Sequence, residues 1–461
     1  MLEGGMRVFP VNINEVDGPK RTHEQNLKTA EEAFESSRPI LGIKGPSWFL
    51  YNMPDIIHGT AIDWMHQVLL GIVRRLMHLW CDSSHSSEPY SLHSIVDKVD
   101  ARLRQIQPPN FISSVPRSIK DHLKYWKASE CRSWLFYYSL PVLYGLLPDV
   151  YFQQYLLLVE AIYLLNGDSV SPEIVDHCEQ VLKNFCLMHA TLYSQREMTS
   201  NIHQLLHLCD VVRDLGPLWV YSCFTFESLN GELASMFHGT QKVDLQIAKN
   251  ICTFLKVLHL LTKLKIGSPV SELYLSMRKK NSLPKKGQMI CESVYAVGTL
   301  KRYFLNREEK QALSKLLGHC IPNRCFVFAR ILKNNSVIYS KEFTLPVKRN
   351  PFTVSFMDNM NEHCGHITKF VKLLLNCSCE SNCMCSNCMY VAFVSMLESS
   401  PFKMSTDNVT SATVQHIIPF KRTCRIVAIP VEAICDLCVF VDFKDSDTVF
   451  VAKCPNAIER D

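Results

Sequence analysis

The chain has 461 residues, 47% of them hydrophobic and 20% charged, with a net charge of +5. That is enough apolar material for two or three domains with sizeable cores, and it excludes a chain that is mainly disordered. The mild positive balance permits nucleic-acid binding without arguing for it, because a polyanion binder is recognised by clustered charge, not by its average.

The 20 cysteines are scattered along the chain. Met1 to Arg7 leads into a polar stretch with no apolar signal segment, so a reducing compartment is expected, with thiols free or metal-bound. Ser133 to Leu165 is strongly apolar, yet Pro141, the Pro148-Asp149 pair and Gln153-Gln154 interrupt it. Each piece falls short of the roughly 20 residues a membrane span needs, so two buried helices and no membrane association are expected.

In chain order, residues 1–40 read as weakly ordered, with a short helical pattern near Glu24 to Glu35. Residues 41–265 read as helical. Ile62, Met65, Leu69, Leu70, Val73, Leu76 and Leu79 recur at helical spacing. Ser171-Pro172-Glu173 is a helix start, combining a capping hydroxyl, proline at the first helical position and an acid at the positive dipole end. Ile174, Cys178, Val181, Leu182, Phe185 and Leu192 continue its stripe, and Leu245, Ile247, Ile251, Phe254, Leu255 and Leu258 form another. Residues 266–289 are a basic linker carrying Arg278, Lys279, Lys280, Lys285 and Lys286, either a solvated hinge or a nuclear-import or phosphate-contacting patch. In residues 290–461 the texture turns to strands at Cys325 to Phe343, Arg425 to Ile429, Cys438 to Phe443 and Thr448 to Ala452, with Asn334-Asn335 and Lys444-Asp445 as turns. The expected fold class is α+β: a mostly helical N-terminal region and a β-rich C-terminal domain of small-barrel character, divided near residue 285.

Four clusters could carry chemistry. Asp63 and His66, three apart, share a helical face, as do His203 and His207, four apart. Together they offer one carboxylate oxygen and three imidazole nitrogens, a sufficient set for tetrahedral zinc, although either pair alone is more often an ordinary half-buried pair. Glu227 lies between aromatics in Phe224-Thr225-Phe226-Glu227. It reads as a surface acid between core anchors or as a metal-binding carboxylate, with Phe224 and Phe226 holding the segment in the core. Cys377, Cys379, Cys383, Cys385 and Cys388 could hold zinc, with His363, Cys364 and His366 as further donors, or form an unliganded loop. Their C-x-C-x3-C-x-C-x2-C spacing is no standard finger. No glycine-rich phosphate loop and no recognisable nucleophile turn is present, so nucleotide hydrolysis and Ser/His/Asp chemistry have no support.

The ordered set Ile43-Lys44-Gly45, Asp63-Trp64-Met65-His66 with Leu70-Gly71, Pro116-Arg117, Trp126-Lys127-Ala128-Ser129-Glu130-Cys131-Arg132, Tyr137-Tyr138-Ser139-Leu140-Pro141, Asn201-Ile202-His203, His207-Leu208, Gly216-Pro217-Leu218-Trp219, Phe226-Glu227 with Asn230-Gly231, and His238-Gly239-Thr240 resembles the skeleton of CACTA (En/Spm)-type DDE transposases, over roughly residues 40–250. The resemblance implies an RNase H-like catalytic domain interrupted by an all-helical insertion, ancestral DNA binding and a nuclear protein. Asp63 and His66 match the family's Asp/Cys-x-x-His motif, and Glu227 matches its late catalytic acid, with Glu130 as competitor. In the related recombinase that assembles antigen-receptor genes, two such pairs bind one structural zinc, which implies the same for Asp63, His66, His203 and His207.

DDE chemistry needs three carboxylates around two divalent ions. The family's first two acids lie upstream of the Asp-x-x-His motif. Here that stretch offers Asp17 and no apolar strand to present it, so the expectation is a truncated RNase H-like domain without autonomous strand cleavage. Mg²⁺ would bind only if the missing carboxylates are supplied. The alternatives are a subunit or fragment of an active transposase completed by another chain, and a protein-interaction module or homo-oligomer with the helical region as scaffold.

Overall fold

Several helices begin where the sequence supplies caps. The Thr22 hydroxyl accepts from the Gln25 amide and the Gln25 side chain returns to the Thr22 amide, opening the His23–Glu35 helix. Ser171 accepts from Ile174 N, Pro172 takes the first helical position and Glu173 the first turn of the Pro172–Leu192 helix, as its sequence requires. The computed structural model describes residues 7–11, 19–236, 239–265, 268–278, 287–291, 293–318, 322, 324–333, 336–343, 348–375, 388–406 and 413–456.

The chain divides into two units. One comprises Met1–Ser222, Ser399–Lys421 and Cys438–Asp461, and the other Cys223–Glu398 and Arg422–Leu437. The first unit runs from the start of the chain through Ser222, and parts of the C-terminal sequence belong to it. What recruits them is specific bonding. Tyr163 donates to Cys454 O at 3.0 Å, Asn456 donates to Asn166 O at 2.9 Å, and the His416 ring stacks on Tyr163 with centroids 3.6 Å apart.

In this first unit the Asp149–Leu165 helix packs on Pro172–Leu192, which packs on Ser200–Leu215. Trp64, Trp80, Trp134, Phe136, Tyr155 and Phe185 are fully buried. The apolar run expected to break at Pro141 does not break there. Trp134–Tyr138 is π-helical, with the Ser139 amide bonded to Trp134 O, and Ser139–Leu143 continues as α-helix through Pro141. A proline in a regular helix meets the carbonyl four residues back; the widened turn just before it shifts that register. Met65–Val73 is also π-helical and runs directly into the Arg74–Cys81 α-helix.

The strands are β1 (Gly287–Cys291), β2 (Val294–Val297), β3 (Lys301–Tyr303), β4 (Cys325–Phe328), β5 (Arg330–Lys333), β6 (Ser336–Tyr339), β7 (Thr353–Asp358), β8 (Asn361–Leu374), β9 (Cys388–Ser399), β10 (Ile417–Pro430), β11 (Ile434–Leu437), β12 (Val439–Val441) and β13 (Val449–Ala452). In the first unit the start of β10 pairs with β13 and β13 with β12, both antiparallel. The second unit holds an antiparallel sheet in the order β1-β2-β5-β6 and another in the order β11-β7-β8-β9. Strand β8 is the spine of the latter. One edge carries β7 along its first half and β4 along its second, and the other edge carries β9. Gly365 lets β8 and β9 approach closely, since a Cβ there would lie 2.6 Å from the Ser395 carbonyl oxygen.

The fold is thus α+β, with antiparallel sheets, and the strand series read from the sequence at β4–β6, β10, β12 and β13 are present. Two expectations change. Among the described residues the strands form open series, not a closed small barrel. Strands β7, β8 and β9 escaped the sequence reading because they are buried over continuous runs, with patterns such as BBBB in β7, and so lack the alternation of a half-exposed strand. A core of Leu313, Val371, Leu373, Val391 and Phe393 lies between the Arg307–Leu317 helix and strands β8 and β9.

Candidate metal centre

Asp63 stands just before the π-helix. Its carboxylate accepts from Met65 N at 3.3 Å and His66 N at 3.1 Å, and Oδ2 lies 2.5 Å from His66 Nδ1. The three-residue spacing therefore does what the sequence suggests and puts both side chains at one point. The His66 side chain is 56% exposed and that of Asp63 18%.

His203 and His207 form the second pair on the Ser200–Leu215 helix, with Nε2 atoms 3.3 Å apart. Phe9 stacks on His203 at 5.4 Å between centroids. Burial, followed by the nearby His207, pushes the His203 imidazole below its ordinary pKa, which favours the neutral, metal-binding form. Two nitrogens each about 2.0–2.1 Å from a tetrahedral zinc sit about 3.3–3.4 Å apart. The observed spacing matches that edge, so this pair fits two positions of a zinc shell.

The two pairs do not share one centre. Among the described residues, no group of three or more metal-capable side chains contains His203 or His207. The reason lies in the helix. A Cβ on Gly71 would meet Asn201 Nδ2 at 2.4 Å, so Asn201 points at the π-helix, and Gln67 donates to Asn201 O at 2.6 Å. Two residues on, His203 is turned by about 200° from Asn201. The face that touches the Asp63–His66 element is thus not the face that carries the histidines.

Glu130 is not placed as a catalytic acid. Arg117 grips it through two bonds, Nε to Oε1 at 2.6 Å and Nη2 to Oε2 at 2.5 Å, and Lys127 N donates to Oε2 at 2.9 Å. The cation that pairs with Glu130 is thus Arg117 and not one of its nearer neighbours Lys127 and Arg132. Arg117 was legible only as half of the Pro116-Arg117 motif.

Glu227 lies on the Cys223–Ala234 helix of the second unit and is exposed. The expected aromatic anchoring fails: Phe226 is 56% exposed, Phe224 is half-buried, and the helix buries none of its side chains. Of the cysteine cluster, Cys388 begins β9 opposite Leu374, and Cys377, Cys379, Cys383 and Cys385 lie outside the described residues. The basic linker from Lys279 to Lys286 lies outside them too. The proposed extra donors are occupied structurally. His366 Nδ1 is 2.9 Å from the Thr353 hydroxyl, the His363 ring lies tilted beside Phe356 with centroids 5.9 Å apart, and Cys364 is buried in β8.

No helix among the described residues is long and apolar enough to cross a membrane. No family model, no curated protein and no solved structure matches this chain.

Proposed function

We propose that this chain is a transposase-derived protein of the CACTA type, nuclear, built on an RNase H-like domain with an all-helical insertion, which binds DNA and does not cleave it unaided. The observation that carries the reading is the setting of its acids. Glu130 is committed to Arg117, and Glu227 is exposed on a helix, where among the described residues no group of three metal-capable side chains includes it. Two-metal strand cleavage needs three carboxylates converging on the ions.

Support for the family reading comes from the motif pieces themselves, which are contact partners. Arg117 of Pro116-Arg117 holds Glu130 of the Trp126 motif, and Gly71 of the first motif meets Asn201 of the Asn201-Ile202-His203 piece. Short segments that touch in this way form one physical unit of the helical region. The test is a strand-cleavage assay with the purified chain, end-labelled duplex and Mn²⁺. The expected result is no cleavage above background for the native chain or for Glu227→Gln. Robust cleavage that Glu227→Gln abolishes overturns the reading.

Zinc belongs to the same proposal as a two-nitrogen site at His203 and His207, with its other positions open to solvent or to donors outside the described residues. Zinc at about 100 times its Kd stabilises the folded chain by about 2.7 kcal/mol. Thermal unfolding should show that gain in the native chain, lose it in His203→Ala and His207→Ala, and keep it in His66→Ala. Equal loss in all three would restore a shared four-ligand centre.

A further inference from the structure

The Val243–Thr262 helix of the second unit carries lysines at positions 249 and 256, and its two flanking residues are Lys242 and Lys263. The four are spaced seven residues apart and all are exposed. Seven residues fall about 20° short of two full turns, so Lys249, Lys256 and the C-capping Lys263 follow one slowly drifting line on the outer face, and Lys242, the left-handed N-cap residue, stands at its start. At about 1.5 Å per residue the line is about 31 Å long, with a charge every 10.5 Å or so. None of the four forms an ion pair with another described residue. Exposed His259 lies beside the line, and Asp244 is the only acid in the helix.

The opposite face is the less exposed one, although the helix buries none of its side chains fully. Ile247, Ile251, Leu258 and Leu261 are half-buried along it. Leu245, Leu255 and Leu260 stay exposed at 60%, 56% and 59% beside the lysines. A helix lying in a membrane interface presents an unbroken apolar strip outward with its cations at the margins. Here the outward crest itself bears a lysine every second turn, which puts the charge where contact is made.

We propose that this lysine line is a sequence-independent contact for the phosphate backbone of duplex DNA. It rests on the DNA binding read above and supplies its site. Duplex DNA carries one negative charge per roughly 1.7 Å of axis, spread around its circumference, so a row of cations laid along it stays within the phosphate field in any register. Lysines are compact point charges without the planar fork that reads guanine edges. Binding that depends on these lysines therefore discriminates little between sequences.

The test is fluorescence anisotropy of the full chain with an arbitrary 25-base-pair duplex over a salt series, without divalent metal. Each phosphate contact contributes about 0.9 to the slope of log K against log [salt]. Replacing Lys242, Lys249, Lys256 and Lys263 together by Gln is expected to reduce the slope by about three to four, and the four-Arg variant to keep it. Circular dichroism checks that the helix content is unchanged. A slope unaltered by the Gln variant overturns the proposal. So does binding to vesicles containing phosphatidylserine, lost in the Gln variant, with no binding to duplex. Because no metal is present, failure here leaves the non-cleaving reading standing, and cleavage activity would overturn that reading without touching this one.

Discussion

Acidification from pH 6.5 to about 4 should strip several kcal/mol of stability from the helical unit, through two buried histidines. His416 is 3% exposed and stacked flat on Tyr163, and its Nε2 has no hydrogen-bond partner among the described residues. Burial pushes its pKa down to about 3. His189 is 2% exposed, with Phe185 and Tyr193 against its ring, and burial pushes it down to about 4 against a smaller opposing pull from Glu197. The Gln154 amide nitrogen lies 3.3 Å from His189 Nδ1, so that nitrogen accepts, and a proton there would set donor against donor.

The sign follows from linkage. Both folded pKa values lie below the unfolded value of 6.5, so between them the unfolded chain binds more protons. The stability these neutral rings allow is fully present above pH 6.5 and is lost as pH falls toward the folded values. Each histidine contributes at most about 1.4 kcal/mol per pH unit, so the pair removes several kcal/mol from a total that is typically 5–15. Glu197, held low by Arg75, acts in the same direction below about pH 4.5, whereas Glu160, pushed up by burial, acts against it. Urea midpoints measured from pH 7.5 to 4.5 should fall steeply, and His416→Phe, which keeps a ring over Tyr163, should flatten the slope by about half. A profile that His416→Phe leaves untouched would mean that this ring is solvated in the folded chain.

The second large effect separates the two candidate acids. The Glu130 side chain is 9% exposed and Arg117 is its bidentate partner. Arg117→Ala leaves a buried carboxylate with the Lys127 amide and little else. Removing one member of a buried pair costs about 3–5 kcal/mol; with Arg117 itself 39% exposed, about 2–4 is expected. Glu130→Ala should cost a similar amount, because it also removes the cap of the Ala128–Ser133 helix. The double variant should cost clearly less than the sum of the two. Glu227→Gln, on an exposed helical face, should stay within about 0.5 kcal/mol. Chemical denaturation of the four variants decides it, and additive costs for Arg117 and Glu130 would dissolve the pair.

The sequence alone determined what depends on neighbours in the chain. Ser171-Pro172-Glu173 starts its helix because capping and proline geometry are local. Asp63 meets His66, and His203 meets His207, because residues three and four apart share a helical face. The lysine line is readable in the same way, from a spacing of seven on a continuous helix. Only the tertiary structure decided which faces meet. Asn201 takes the side of its helix that packs on Gly71, and that turns His203 away from the Asp63–His66 pair. Strands β7, β8 and β9 gave no alternating signal because their burial runs on continuously. Arg117 and Glu130 are thirteen residues apart, with the short Ile119–His122 and Leu123–Tyr125 helices between them, a pairing that no periodicity encodes. The return of residues near His416 and Cys454 to the helical unit rests on a ring stack and two hydrogen bonds. Their partners lie hundreds of residues earlier, where only folding brings them within reach.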